Sequence, residues 1–136
     1  MAVIKIEIKH WATGEVIFSH ECENNTVKLT VGEAVKQKIS LSCADLSCAD
    51  LSDADLSRAD FSRADLFGAD LSDSDLSDSD LSRADFSRAD LSRADFSRAD
   101  LSDADFSRAD FSRADFSRAD LSKEQREYVK NRGAIV

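Results

Sequence analysis

Residues 82–101 read "SRADFSRADLSRADFSRADL". The period is five, and neither regular helix nor flat strand has it. On an α-helix each fifth position advances by about 140°, so Phe86, Leu91, Phe96 and Leu101 would scatter around the cylinder with no apolar stripe. In a flat strand side chains alternate sides, so Leu91 and Phe96 would face opposite ways. A bend of about 90° once per repeat removes the conflict. Ala and the Leu or Phe two residues later share a side, and the bend resets the parity for the next unit. Four bends close a square of about twenty residues, and successive coils stack at ~4.8 Å. A chain that bends one way while rising builds a solenoid.

The repeat runs over residues 41–123, with centres every five residues from Leu41 to Leu121. That length predicts about four coils and a rod ~20 Å tall. The predicted core includes Leu46, Leu56, Phe61, Leu76, Phe86, Phe96, Phe106 and Phe116. Two positions before each centre the residue is nearly always Ala, because small residues must alternate with large ones in a tapered interior. Ser74 and Ser79 replace Ala, and their hydroxyls, if buried, need backbone partners.

Both flanks are ordinary in composition. In "VIKIEIK" Ile4, Ile6 and Ile8 alternate with charged residues, the pattern of a half-buried strand. A turn at Gly14 and a second strand in "EVIFSHEC" predict a hairpin over residues 3–22. "TVGEAVKQK" follows, with Thr30 and Glu33 at capping-box spacing, which predicts a short helix. At the other end Ser122 and Gln125 repeat that spacing and Gly133 suits a helix stop, so a helix of about ten residues is expected. Open coils expose unpaired backbone, so residues 1–40 and 124–136 are expected to cap the solenoid of 41–123.

The "ADLS" and "ADFS" units resemble the pentapeptide-repeat family, whose consensus is A(D/N)LXX. The resemblance covers about 80 of the 136 residues. It implies an all-β fold, a right-handed quadrilateral β-helix. In that family the residue before the centre helps to fix the turn through side-chain hydrogen bonds, a role that would fall to the Asp residues from Asp45 to Asp120. The leader "IEIKHWATGEVIF" is similar to leaders on pentapeptide proteins of bacteriophages and their hosts.

Nothing in the sequence resembles a catalytic constellation. There is no Gly-rich phosphate loop and no GxSxG, and His10 and His20 have no nucleophile at a recognisable spacing. Cys22, Cys43 and Cys48 are odd in number and lack metal-ligand spacing, so neither a disulfide framework nor a zinc site is expected. No cofactor is implied. With no apolar run long enough for a membrane and no signal-peptide pattern, the expectation is a soluble, cytoplasmic protein without membrane contact.

The net charge of −9 disfavours direct nucleic-acid binding, which needs exposed positive charge. The acid is unevenly placed. Residues 41–82 hold 11 Asp against 2 Arg, whereas residues 83–123 hold 9 Asp against 7 Arg and 1 Lys. The position two after each centre points outward and varies. On it Asp53 and Asp73 are expected to stack on one face, with Asp78 on the next and Arg58 one coil below Asp78. Phe67, in place of the usual Ser, is expected to point outward beside Gly68. Asp53, Asp73, Asp78 and Phe67 form the candidate interaction surface.

Two functions fit. The first is a non-enzymatic structural or protein-interaction module with an unidentified protein partner. The second rests on the resemblance, since some pentapeptide-repeat proteins are acidic DNA mimics that bind a type II topoisomerase such as gyrase. The tract carries about one net charge per 2 Å, against one per ~1.7 Å in duplex DNA. A rod this short, as a monomer, mimics little duplex, and an end-to-end dimer would lengthen it.

Overall fold

The computed structural model describes residues 2–136. The repeats form a β-helix. Single parallel bridges join Asp residues twenty apart, Asp45 with Asp65, Asp50 with Asp70, and so on to Asp100 with Asp120. One turn therefore takes four pentapeptides.

The reason these five residues suffice is visible in the backbone donors of residues 81–85. The Leu81 N–H donates to Asp100 O at 2.8 Å and that of Arg83 to Ser102 O at 2.8 Å, both one turn on. The Asp85 N–H donates back to Ala64 O at 3.0 Å, and that of Ala84 closes the local turn onto Leu81 O at 3.1 Å. Only the Ser82 N–H lacks a backbone partner, and the Asp80 Oδ1 accepts it at 3.0 Å. Every donor is thus satisfied, as a closely packed backbone requires.

The interior holds the Leu and Phe centres with the Ala residues between them. Leu46, Leu56, Phe61, Leu76, Phe86, Phe96, Phe106 and Phe116 are all buried. Rings one turn apart stack nearly parallel, with Phe86 over Phe106 at 5.6 Å and Phe96 over Phe116 at 4.9 Å. Ser74 and Ser79 are buried, and their hydroxyls donate to Leu71 O at 2.6 Å and Leu76 O at 2.5 Å. Ala49, Ala54 and Ala109, in the outermost turns, are only partly covered.

At the N-terminal end β1 (Val3–Lys9) pairs antiparallel with β2 (Val16–Glu23). Burial along β1 is graded: Ile4 is exposed, Ile6 half-buried and Ile8 buried, because only the last part of the strand reaches the solenoid. There His10 bridges Ala44, and the Asp45 N–H, which has no earlier turn to bond, donates to Lys9 O at 2.8 Å. The His10 Nδ1 accepts the N–H groups of Ala12 and Thr13, which holds the hairpin loop.

α1 (Val27–Lys36) starts earlier than the sequence predicts. Its N-cap is Thr26, whose hydroxyl accepts from the Leu29 N–H. Thr30 is inside the helix and fully buried, with its hydroxyl donating to Asn25 Oδ1 at 3.1 Å. Glu33 accepts from Gln37 Nε2 instead of closing a capping box.

α2 (Lys123–Lys130) carries the capping box expected of Ser122 and Gln125. Lys123, the last residue assigned to the repeats from sequence, is the first residue of this helix. Gln125 Nε2 donates to Leu101 O and Ala104 O, and Val129 is fully buried. After the helix Gly133, with φ of 91°, turns the chain back. Ile135 then bridges Asp115, exchanging hydrogen bonds with Ala114 O and the Phe116 N–H. The tail thus rejoins the ladder at the twenty-residue register, which the sequence reading did not anticipate.

Candidate interaction surface

The outward surface of the β-helix is built at its corners. Each corner is a turn in which the centre carbonyl accepts the N–H three residues on, as from Ala49 to Leu46. The residue two after the centre is left-handed: φ is 62° at Cys43, 59° at Asp53 and 60° at Arg88. Positive φ at that place and not at the preceding Ser matches the sign pattern of a type II turn. That position usually takes Gly or Asn. Here Gly occupies it once within the repeats, at Gly68, and Cys, Asp or Arg elsewhere.

Because the register is twenty, these residues line up in four columns. One runs Cys43, Arg63, Arg83, Asp103. The next runs Cys48, Gly68, Arg88, Arg108. The third runs Asp53, Asp73, Arg93, Arg113, and the fourth Arg58, Asp78, Arg98, Arg118.

The sequence-predicted residues are spread over three corners. Asp53 and Asp73 stack in the third column, where the Asp53 N–H donates to Ser72 O at 2.9 Å. Asp78 lies on the fourth. Phe67 precedes Gly68 at the second corner and is 39% exposed. Its N–H still donates to Asp65 Oδ1 at 3.0 Å, so the turn survives the loss of the usual Ser hydroxyl. Gly68 leaves room for Cys48 one turn below, whose Sγ would lie 3.2 Å from an added Cβ.

Two of the predicted acids are already engaged. Arg93 grips Asp73 with Nε and Nη2 at 2.8 and 2.7 Å. Arg98 grips Asp78 in the same way, at 2.9 and 2.9 Å. The partner of Asp78 therefore comes from the turn above, not from Arg58 below. The hydrogen bonds from these Arg residues hold both carboxyls below the ordinary Asp value, with desolvation opposing. Among the described residues Asp53 has no such partner.

The Asp residues on the flat faces play a different part. The Oδ1 of Asp55 accepts the Ser57 hydroxyl at 2.7 Å and its N–H at 3.2 Å, an Asx-type turn. The same pattern recurs at Asp50, Asp70 and Asp100, among others. The Ser57 bonds hold the Asp55 carboxyl below its ordinary value.

One feature of this surface is not among the residues predicted for it from sequence. Trp11 is 54% exposed, and its Nε1–H donates to Arg63 O at 2.9 Å. The ring borders a shallow groove with Arg63, Asp65, Arg83 and Asp85 along the first corner. No local pattern marks it, since it arises where the hairpin meets a corner 52 residues on.

Among the described residues no group of three or more His, Cys, Asp or Glu is arranged to hold a metal ion. Among the described residues no helix is long and apolar enough to cross a membrane.

Solved structures that share this architecture include two from Nostoc. One is alr5209, a pentapeptide repeat protein from Nostoc PCC 7120, 32% identical over 81% of this chain and 94% of that one, with a TM-score of 0.65. The other is HetL, a pentapeptide repeat protein involved in heterocyst differentiation regulation from Nostoc sp. strain PCC 7120. It is 39% identical, with a TM-score of 0.59, over 60% of this chain. The match takes up only 40% of HetL. No curated protein matches by sequence. The family model for pentapeptide repeats matches residues 44–83 and 84–122, more than half of the chain. Period, twenty-residue register and Asx-fixed corners are therefore those of a family member, and the chain belongs to the pentapeptide-repeat proteins.

Proposed function

We propose that this chain is a non-enzymatic structural and protein-interaction module. The observation that carries the reading is where the repeats differ. Inward centres are only Leu or Phe, whereas the outward corner position takes Cys, Asp, Arg, Gly or Lys. The interior varies only between Leu and Phe and between Ala and two Ser, whereas charge and polarity change on the outside, which is how repeat proteins build binding surfaces. In this reading residues 41–123 form a right-handed rod of about four coils. Residues 1–40 and 124–136 cover its ends. The backbone hydrogen bonds of Lys9 and Trp11 to Asp45 and Cys43, and that of the Gln125 side chain to Leu101 O, support that role.

Asp53, Asp78 and Phe67 are the corner residues we assign to partner contact, with Asp73 supporting them. Immobilised protein is expected to lose its captured partner when Asp53, Asp78 and Phe67 are changed together to Asn, Asn and Ser, with circular dichroism and melting temperature unchanged. Undiminished capture removes these residues from the surface.

A second reading, an acidic DNA mimic that binds a type II topoisomerase, is favoured by one observation, the 11 Asp against 2 Arg in residues 41–82. It is weakened by the Arg residues that close on Asp73 and Asp78. Absence of inhibition in an ATP-dependent gyrase supercoiling assay at micromolar protein discards it.

A further inference from the structure

The four corner columns differ in their order of charge. The third reads Asp53, Asp73, Arg93, Arg113: two negative, then two positive. Their backbones are tied one strand spacing apart, by N–H bonds from Asp53, Asp73 and Arg93 to the next turn at 2.9, 3.0 and 3.0 Å, and from Arg113 to Gly133 O of the returning tail at 3.1 Å. All four side chains belong to exposed residues. The central pair is closed on itself, Arg93 on Asp73. Among the described residues the outer two, Asp53 and Arg113, make no salt bridge.

From this order we infer that the third corner is a contact surface for a second copy of the chain, lying antiparallel alongside the first. A two-fold axis across the middle of the column sets Asp53 against the partner's Arg113 and Asp73 against the partner's Arg93. Symmetry then supplies the reciprocal pairs, which makes a self-complementary, closed interface. The direction is dictated: parallel copies would set like charge on like. The corner is dictated too. Reversed and laid on themselves, the first and fourth columns set Arg against Arg, and the second has no acid at all. The Asp rows that begin at Asp50 and Asp55 lie at the bridged positions of the flat faces, beside this corner and not on it. This goes beyond the interaction-module reading, because it names the occupant and its orientation.

Exposed ion pairs are individually weak and screened by salt, and their chief effect is on specificity and orientation. The association is therefore weak and salt-sensitive. The test is sedimentation velocity of the full chain over a range of concentrations, with small-angle scattering of the associated form. At low ionic strength the apparent mass is expected to rise from 15.0 kDa toward twice that value with concentration. It returns to 15.0 kDa in molar salt. Asp53→Arg alone and Arg113→Asp alone each set like charges together, and each is expected to abolish association. The double variant Asp53→Arg with Arg113→Asp restores the pairing and is expected to associate like the parent. Both residue types already occupy this corner position at φ near 60°, so the exchanges leave the fold intact. A parent that stays monomeric at low salt overturns the inference. So does association that survives both single changes or is not rescued by the double one. A scattering curve that doubles in length with unchanged cross-section, an end-to-end pair, overturns it equally.

Discussion

At the scale of single residues, the Asp before each centre and the left-handed residue after it carry the corner. Asp supplies the one acceptor the backbone cannot: the Asp85 Oδ1 takes the Ser87 N–H at 2.8 Å. Asp85→Ala leaves that donor without a partner, and a cost of about 1–2 kcal/mol is expected in urea denaturation. Asp85→Asn keeps the acceptor oxygen and should cost far less. Equal losses would show that the charge, not the acceptor, fixes the turn. The left-handed position predicts a different order. At Arg88, with φ of 60°, Asn should be tolerated as well as Arg, whereas a β-branched Val should destabilise most. Arg88→Ala falls between them. The sequence showed which residue precedes each centre and that Asp suits a turn. It did not show the positive φ, because Arg and Asp are not the residues that usually mark it.

At the scale of elements, the interior of each turn and the two helices are the units. Phe96 is fully buried and stacked on Phe116, and Phe96→Ala should cost about 3–5 kcal/mol through the cavity it leaves. If Phe96→Ala matched an outward Arg88→Ala in a denaturation curve, the inside and outside of the rod would be reversed. For α2, Gln125 both closes the capping box and reaches the Leu101 and Ala104 carbonyls. Gln125→Ala therefore removes more than a cap, and a loss of about 1–2 kcal/mol is expected. The hairpin and this capping box were legible because period-two alternation and Ser-x-x-Gln are local signals. The start of α1 was misread for the same reason. Thr30 and Glu33 have capping-box spacing inside the helix, whereas the true cap, Thr26, has Leu29 three residues on and accepts its N–H without a capping box. The returning tail was invisible, since Ile135 is placed by a bridge to a residue twenty positions earlier, not by its neighbours.

At the scale of the whole molecule, the Asp rows link stability to pH. The carboxyls of Asp55, Asp60 and Asp110 all titrate below the ordinary value of 3.8. At Asp55 the Ser57 hydroxyl is the main cause. At Asp60 desolvation opposes, and the Ser40 and Ser62 bonds outweigh it. At Asp110 the Ser112 N–H leads. A carboxyl depressed in the folded state stabilises it fully above the unfolded value, and that stability is lost as pH falls through the folded value. Melting temperature should accordingly hold from neutral pH down to about 4 and fall steeply below it. A decline that begins well above pH 4 would overturn this account. Which faces would be acidic was readable from the period alone. That Arg93 and Arg98 would reach back one turn to close on Asp73 and Asp78 was not, since equally spaced Arg58 competes on sequence grounds.

The bridge from Asp45 to Asp65 and its successors also sets how this chain can change in size. A deletion or insertion that is not a multiple of five leaves some corner without its Asx bond. One of five preserves every corner but swings the N-terminal hairpin a quarter turn about the axis relative to α2, and reshuffles which side chains share a column. Only a step of twenty, one whole turn, lengthens or shortens the rod while keeping both ends in the same phase, so growth or shrinkage without change of face comes in that quantum.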